Sequence, residues 1–231
     1  STHSPVMLYS LTGNSRIFIE HKHDGEYRAI PNISVNAAFT KMDANSYPLI
    51  DLYCEDNLSE KIIQKSLTKI EINNNLVNFS RLINIVKSGS ADNAYENYKA
   101  HKRTYNDRKN ICGYACILDG DMYLQKNSDG KTKYPQQGEN LFFLYSNEAP
   151  EKFLVRYYLN KFPNPTLKYH LDNSNPHCLF SKVVENSSFT STDEVLDKCW
   201  EYFLETEEGN EFIKSFDRFI IDTAKEFSRF L

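Results

Sequence analysis

Long apolar runs are missing from this sequence. No stretch approaches the roughly 18 apolar residues that a bilayer span needs, and no signal peptide is visible. A basic excess is missing too. The formal net charge is −4, so no global positive field advertises nucleic acid, and such binding needs a local patch or bridging cations. Paired cysteines are absent. The five, at positions 54, 112, 116, 178 and 199, are scattered and odd in number. Cys112 and Cys116 are four apart, but no second pair stands at zinc-like spacing. All five read as reduced thiols of a cytoplasmic protein with no membrane partner, most of them in the core. Core material is what the chain does have. It is 40% hydrophobic and 13% aromatic over 231 residues, enough for one large domain or one domain with an appendage.

Apolar periodicity divides the chain at about residue 45. Before it, 16-RIFIEH-21 and 27-YRAI-30 read as a hairpin around Asp24-Gly25, and 36-NAAFTKM-42 as a short helix. After the turn-rich 43-DANSYP-48, strands and helices alternate. Strands are expected at 49–55, 81–87, 111–118 and 141–145, and helices at 57–70, 91–107 and 150–162. That alternation means parallel pairing in an α/β sheet. Residues 165–231 look mostly helical, with Phe212, Phe216, Phe219, Ile220, Phe227 and Phe230 near one face.

The stretch 115-ACILDGDMYL-124 has two readings. Asp-Gly between apolar residues is a hairpin signal. Alternatively, Asp119 and Asp121 stand at a strand end to grip a metal. Open parallel sheets bind ligands at the carboxyl ends of their strands. Three such ends carry acids here: Glu55, Asp119 with Asp121, and Glu151, with Glu148 as a rival to the last. If the strands are neighbours, four carboxylates converge. Such a cluster calls for hard divalent cations, Mg²⁺ or Mn²⁺ rather than zinc. The short 122-MYL-124 is a poor hairpin partner for so long a strand, which favours the metal reading.

A strand ending in Glu, a helix, a glycine-bearing strand and a strand ending in Asp-x-Asp resemble the Toprim domain of topoisomerases, primases and certain nucleases. The segments are 49-LIDLYCEDNLSEKII-63, 83-INIVKSGS-90 and 117-ILDGD-121, with Glu55 standing 64 residues ahead of Asp119. The segment 143-FLYSNEAPEKFL-154 resembles the continuation in the overcoming-lysogenization-defect (OLD) nucleases, which fuse an ABC-type ATPase to a Toprim nuclease. The opening 1-STHSPVMLYSL-11 resembles the switch-histidine loop of such an ATPase, and 16-RIFIEHKHDGEYRAI-30 its closing hairpin. The sequence is therefore expected to be a fragment of a longer protein. Residues 1–45 would be the ATPase tail, 46–162 a Toprim (Rossmann-like) core and 163–231 a helical extension. Walker A and signature sequences are lacking, so competent ATP binding belongs to the parent protein alone.

The resemblance implies a two-metal phosphodiester hydrolase acting on DNA, with RNA as an alternative, in phage defence. Glu55, Asp119, Asp121 and Glu151 would hold two Mg²⁺ or Mn²⁺ ions. A downstream lysine would stabilise developing charge, with Lys152 and Lys182 as candidates. His3 would contact ATP in the parent. The parent's ATPase domain, and a homodimer formed largely through parts outside this sequence, are the implied partners. Each acid also has a plain reading, such as helix-start capping for Glu55 and Glu151. Family members often carry an acid where this chain has Ser59. That departure sustains an alternative, a catalytically degenerate Toprim-like regulatory or docking module. A topoisomerase is disfavoured because no nucleophilic Tyr is identifiable. Lys99, Lys102, Arg103, Arg108 and Lys109 form either a solvated helix face or a phosphate-docking patch leading into the metal-bearing strand. Gly89 is expected to permit a close turn beside the site. His21 and His23 read as surface hairpin residues, and His177 has no assignment.

Overall fold

The computed structural model describes residues 5–21, 26–42, 48–76, 78–107, 112–136 and 140–228. The chain opens with helix α1 (Pro5–Ser10), then strands β1 (Ile17–His21) and β2 (Tyr27–Pro31), paired antiparallel as a separate hairpin. Phe18 and Ile30 turn one face of the hairpin toward the core, while Ile17, Ile19 and Tyr27 are exposed on the other. Helix α2 (Val35–Met42) follows.

The sheet is built from β3 (Ile50–Cys54), β4 (Ile83–Lys87), β5 (Gly113–Leu118) and β6 (Leu141–Phe143). Its order is β4-β3-β5-β6, all parallel. Parallel neighbours need crossovers. Two of these are helices, α3 (Asn57–Asn74) and α4 (Ala91–Thr104). Both begin on good N-caps. Asp56 accepts from the amides of Leu58 and Ser59 at 2.9 and 3.0 Å, and Ser90 from that of Asn93. Asn75, at φ +52°, closes α3 in the left-handed conformation.

β5 is buried on both faces, and its side chains divide between two cores. Ala115 and Ile117 join α3 and the later helices, whereas Tyr114, Cys116 and Leu118 pack beneath α4. This is a three-layer α/β arrangement of Rossmann-like form.

The remaining helices are α5 (Pro150–Lys161), α6 (Pro165–Asn173), α7 (Leu179–Glu185), α8 (Thr192–Leu204) and α9 (Glu207–Ser228). On α9, Phe212, Phe216 and Ile220 are buried, and Phe219 and Phe227 are partly buried, as the stripe predicts; Phe230 lies outside the described residues. One continuous core runs from Ile33 to Ala224, so the region after residue 163 shares its interior with the sheet. Among the described residues, no helix is long and apolar enough to cross a membrane.

Candidate functional site

β3 and β5 are parallel neighbours, so Glu55 and Asp119 leave the sheet at the same carboxyl edge. The Asp119 backbone N–H donates to Glu55 Oε1 at 2.8 Å. The Ser59 hydroxyl, fully buried in the first turn of α3, donates to Asp119 Oδ1 at 2.6 Å; Asp56 Oδ1 is a longer 3.1 Å away. Ser59, which stands where the resemblance expects an acid, thus grips the central aspartate.

The Asp-Gly-Asp stretch makes no hairpin. Gly120–Met122 is a single 3₁₀ turn. A Cβ on Gly120 would lie 1.9 Å from the Ser146 carbonyl oxygen and 2.8 Å from those of Leu144 and Tyr145. Only glycine lets the chain after β6 pass this close. The turn sets Asp121 beside Asp119 with its Oδ1 buried and without a hydrogen-bond partner among the described residues.

These carboxyls bind protons unusually well. Burial raises Glu55 to about 7, with Asp121 and Asp56 adding repulsion against the pull of backbone N–H groups from Asp119 and Ala91. Burial also pushes Asp119 well above the usual carboxylate range; Glu55 adds to this and Ser59 opposes it. Asp121 is raised by burial as well, while backbone N–H groups and His177 work the other way.

Glu151, 6% exposed in the first turn of α5, faces His177, whose Nδ1 lies 3.0 Å from Glu151 Oε1. His177 is 72% exposed and acts on both Glu151 and Asp121, which ties the fourth acid to the other three. The rival Glu148 is committed to an ion pair with Arg156. Among the described residues, no three His, Cys, Asp or Glu side chains stand close enough to hold a metal ion as positioned. The donor chemistry nonetheless fits a hard cation. Three neighbouring carboxyls, Asp119 buried and Glu55 and Asp121 half-buried, share a raised proton affinity, and one buried oxygen, Asp121 Oδ1, lacks a partner among the described residues.

The structure does not bring Lys99, Lys102 or Arg103 to this edge. Lys99 pairs with Glu96 and lies over the Tyr95 ring, and Lys102 and Arg103 end α4. The segment leads into the amino end of β5, whereas Asp119 follows its carboxyl end, a six-residue strand of about 20 Å away. Arg108, Lys109, His3 and His23 lie outside the described residues. Lys152 is half-buried beside Glu151, and Lys182 bonds Glu185 within its own helix. Gly89 has φ +86° and donates to the Glu55 carbonyl at 2.6 Å. A Cβ there would meet nothing within 4 Å, so the dihedral, not crowding, demands glycine.

Two residues of the site escaped the sequence reading in their actual roles. The Asp56 cap signal in 56-DNLSE-60 marks the helix start that delivers Ser59. No local signal links His177 to Glu151, 26 residues earlier. The chain matches no family model, no curated protein and no solved structure.

Proposed function

We propose that this chain is a divalent-metal-dependent nuclease of Toprim type, from an OLD-family ATPase-nuclease of the cytoplasm. The observation that carries the reading is the trio Glu55, Asp119 and Asp121, packed at the carboxyl edge of a parallel sheet with raised proton affinity. Glu55, Asp119 and Asp121 would hold Mg²⁺ or Mn²⁺, with Glu151 completing a second position. Divalent ions held there supply a Lewis acid for the phosphate oxygens and acidify an attacking water.

The chain's own residues do the rest. The Asp119 N–H fixes Glu55, which takes a proton from the attacking water. Ser59 orients Asp119. His177 orients Glu151 and faces solvent where substrate approaches. DNA is the proposed substrate, phage defence the setting, and ATP binding a property of the parent protein.

Plasmid nicking with Mn²⁺, Mg²⁺ or EDTA tests this, comparing wild type with Asp119→Ala. Metal-dependent nicking that the variant lacks is expected; equal behaviour of the two sinks the proposal. A second reading, a degenerate docking module, is favoured by Ser59, which stands in place of an acid and bonds Asp119. It predicts no nicking under any metal.

A further inference from the structure

A cavity of about 190 Å³ opens beside the carboxylate group, between the start of α3 and helices α7 and α8. We propose that it receives one unpaired nucleobase of the substrate strand, an inference that rests on the nuclease reading above.

Position comes first. Glu151, the fourth candidate ligand, lies in this cavity's wall together with His177, whose Nδ1 is 3.0 Å from Glu151 Oε1. Asn57 and Leu58, also in the wall, follow Glu55 by two and three residues. A strand whose phosphate lies over the carboxylates therefore has the cavity within reach of an adjacent base.

Charge argues against a phosphate as occupant. Glu151 and Asp193 both line the space. Lys61, the ammonium in the wall, is engaged by Asp193, and the His177 Nδ1 by Glu151. An anion entering would face two carboxylates, and the one ammonium in the wall is already committed to Asp193. A neutral ring meets no such penalty.

Composition and size point the same way. Buried Phe180 and Leu196, with half-buried Leu58, supply apolar walls. Ser181, Thr192 and Asn57 supply polar groups. The Asn57 carboxamide oxygen accepts from Lys87 at 2.8 Å, leaving its NH₂ to donate. Apolar walls with hydrogen-bonding groups match a base, which has apolar faces and a polar edge. The volume lies below the roughly 300–1,000 Å³ typical of drug-sized ligand sites, as suits one ring system. A base paired and stacked in a duplex is not free to enter, so the preferred substrate is single-stranded or locally unpaired.

The test uses the full wild-type chain with Ca²⁺ in place of Mn²⁺, a hard cation that oxygen ligands also hold, and reads binding before any cleavage. Fluorescence anisotropy compares labelled oligothymidylate with an abasic deoxyribose-phosphate strand of equal length. The base-bearing strand is expected to bind at least about fivefold tighter, the lower end of what one stacked base contributes. Ser181→Trp, at an exposed position of the wall, fills the space. It should abolish that preference, bringing the base-bearing strand down to the affinity of the abasic one. If it lowers the melting temperature, Thr192→Trp replaces it. Equal affinity for the two strands, binding of neither, or a preference that survives a folded Trp variant overturns the pocket. Failures are separable. Nicking that depends on Asp119, with equal strand affinities, removes the pocket alone. Base-dependent binding without nicking removes the nuclease reading alone.

Discussion

Gly120 shows how one residue shapes the site. Its missing side chain makes room for three carbonyl oxygens of the chain after β6, and this contact holds Asp119 and Asp121 on one turn. Gly120→Ala is expected to cost about 1–3 kcal/mol by overpacking, read by urea unfolding, and, on the proposed function, to weaken Mn²⁺ binding by moving both acids. The cysteines give a second expectation at this scale. Burial raises the Cys54 and Cys199 thiols to about 12 and Cys116 well above the usual thiol value, while Cys178 is exposed. The thiolate is the reactive form. Iodoacetamide at pH 8 should therefore modify Cys178 first and leave those three until the chain unfolds, as peptide mass spectrometry will show. Early labelling of Cys54 contradicts the burial described. Composition alone made reduced, largely buried thiols legible. It did not say which one faces solvent, because that depends on how the 3₁₀ turn Pro176–Cys178 and α7 pack rather than on neighbours in sequence.

Elements were the most legible scale. The helix at 57–74 and the strands at 50–54, 83–87 and 113–118 follow from apolar spacing and caps, which act between residues a few positions apart. Asp119-Gly120 tested that logic. The dipeptide favours a hairpin locally, yet β5 continues into a 3₁₀ turn because its partners are β3 and β6, not the residues after it. The strand expected over 141–145 stops at Phe143, close to where the chain crosses over Gly120. At the other end of the sequence, the aromatic stripe of α9 packs Phe216 against Phe142 with ring centroids 5.7 Å apart. Phe216→Ala should cost about 3–5 kcal/mol, measured as a lowered denaturant midpoint. A loss below 1 kcal/mol would mean that α9 is an appendage rather than part of the sheet's core.

The whole molecule carries a formal net charge of −4, and its carboxyl edge concentrates acids. Glu55 is raised from 4.5 to about 7, and Asp119 also lies above its ordinary value. Folding thus strengthens proton binding, so this contribution is fully present below about pH 4.5 and is lost as pH rises through about 7. In EDTA, the melting temperature should accordingly fall between pH 5 and pH 8. Adding Mn²⁺ at pH 8 should restore part of it in wild type and less in Asp119→Ala, because a bound cation relieves the repulsion. A flat profile in EDTA would show that these acids are not crowded. Sequence by itself determined the alternation of strands and helices, the reduced thiols and the acids that follow β3 and β5, since each rests on local periodicity and residue chemistry; Glu151, expected at a strand end, lies instead in the first turn of α5. Only tertiary structure decided that β3 and β5 are neighbours, that Ser59 holds Asp119 from 60 residues away and that His177 meets Glu151. Those contacts join residues far apart in the chain, and they are fixed by how helices pack across the sheet rather than by any spacing along it.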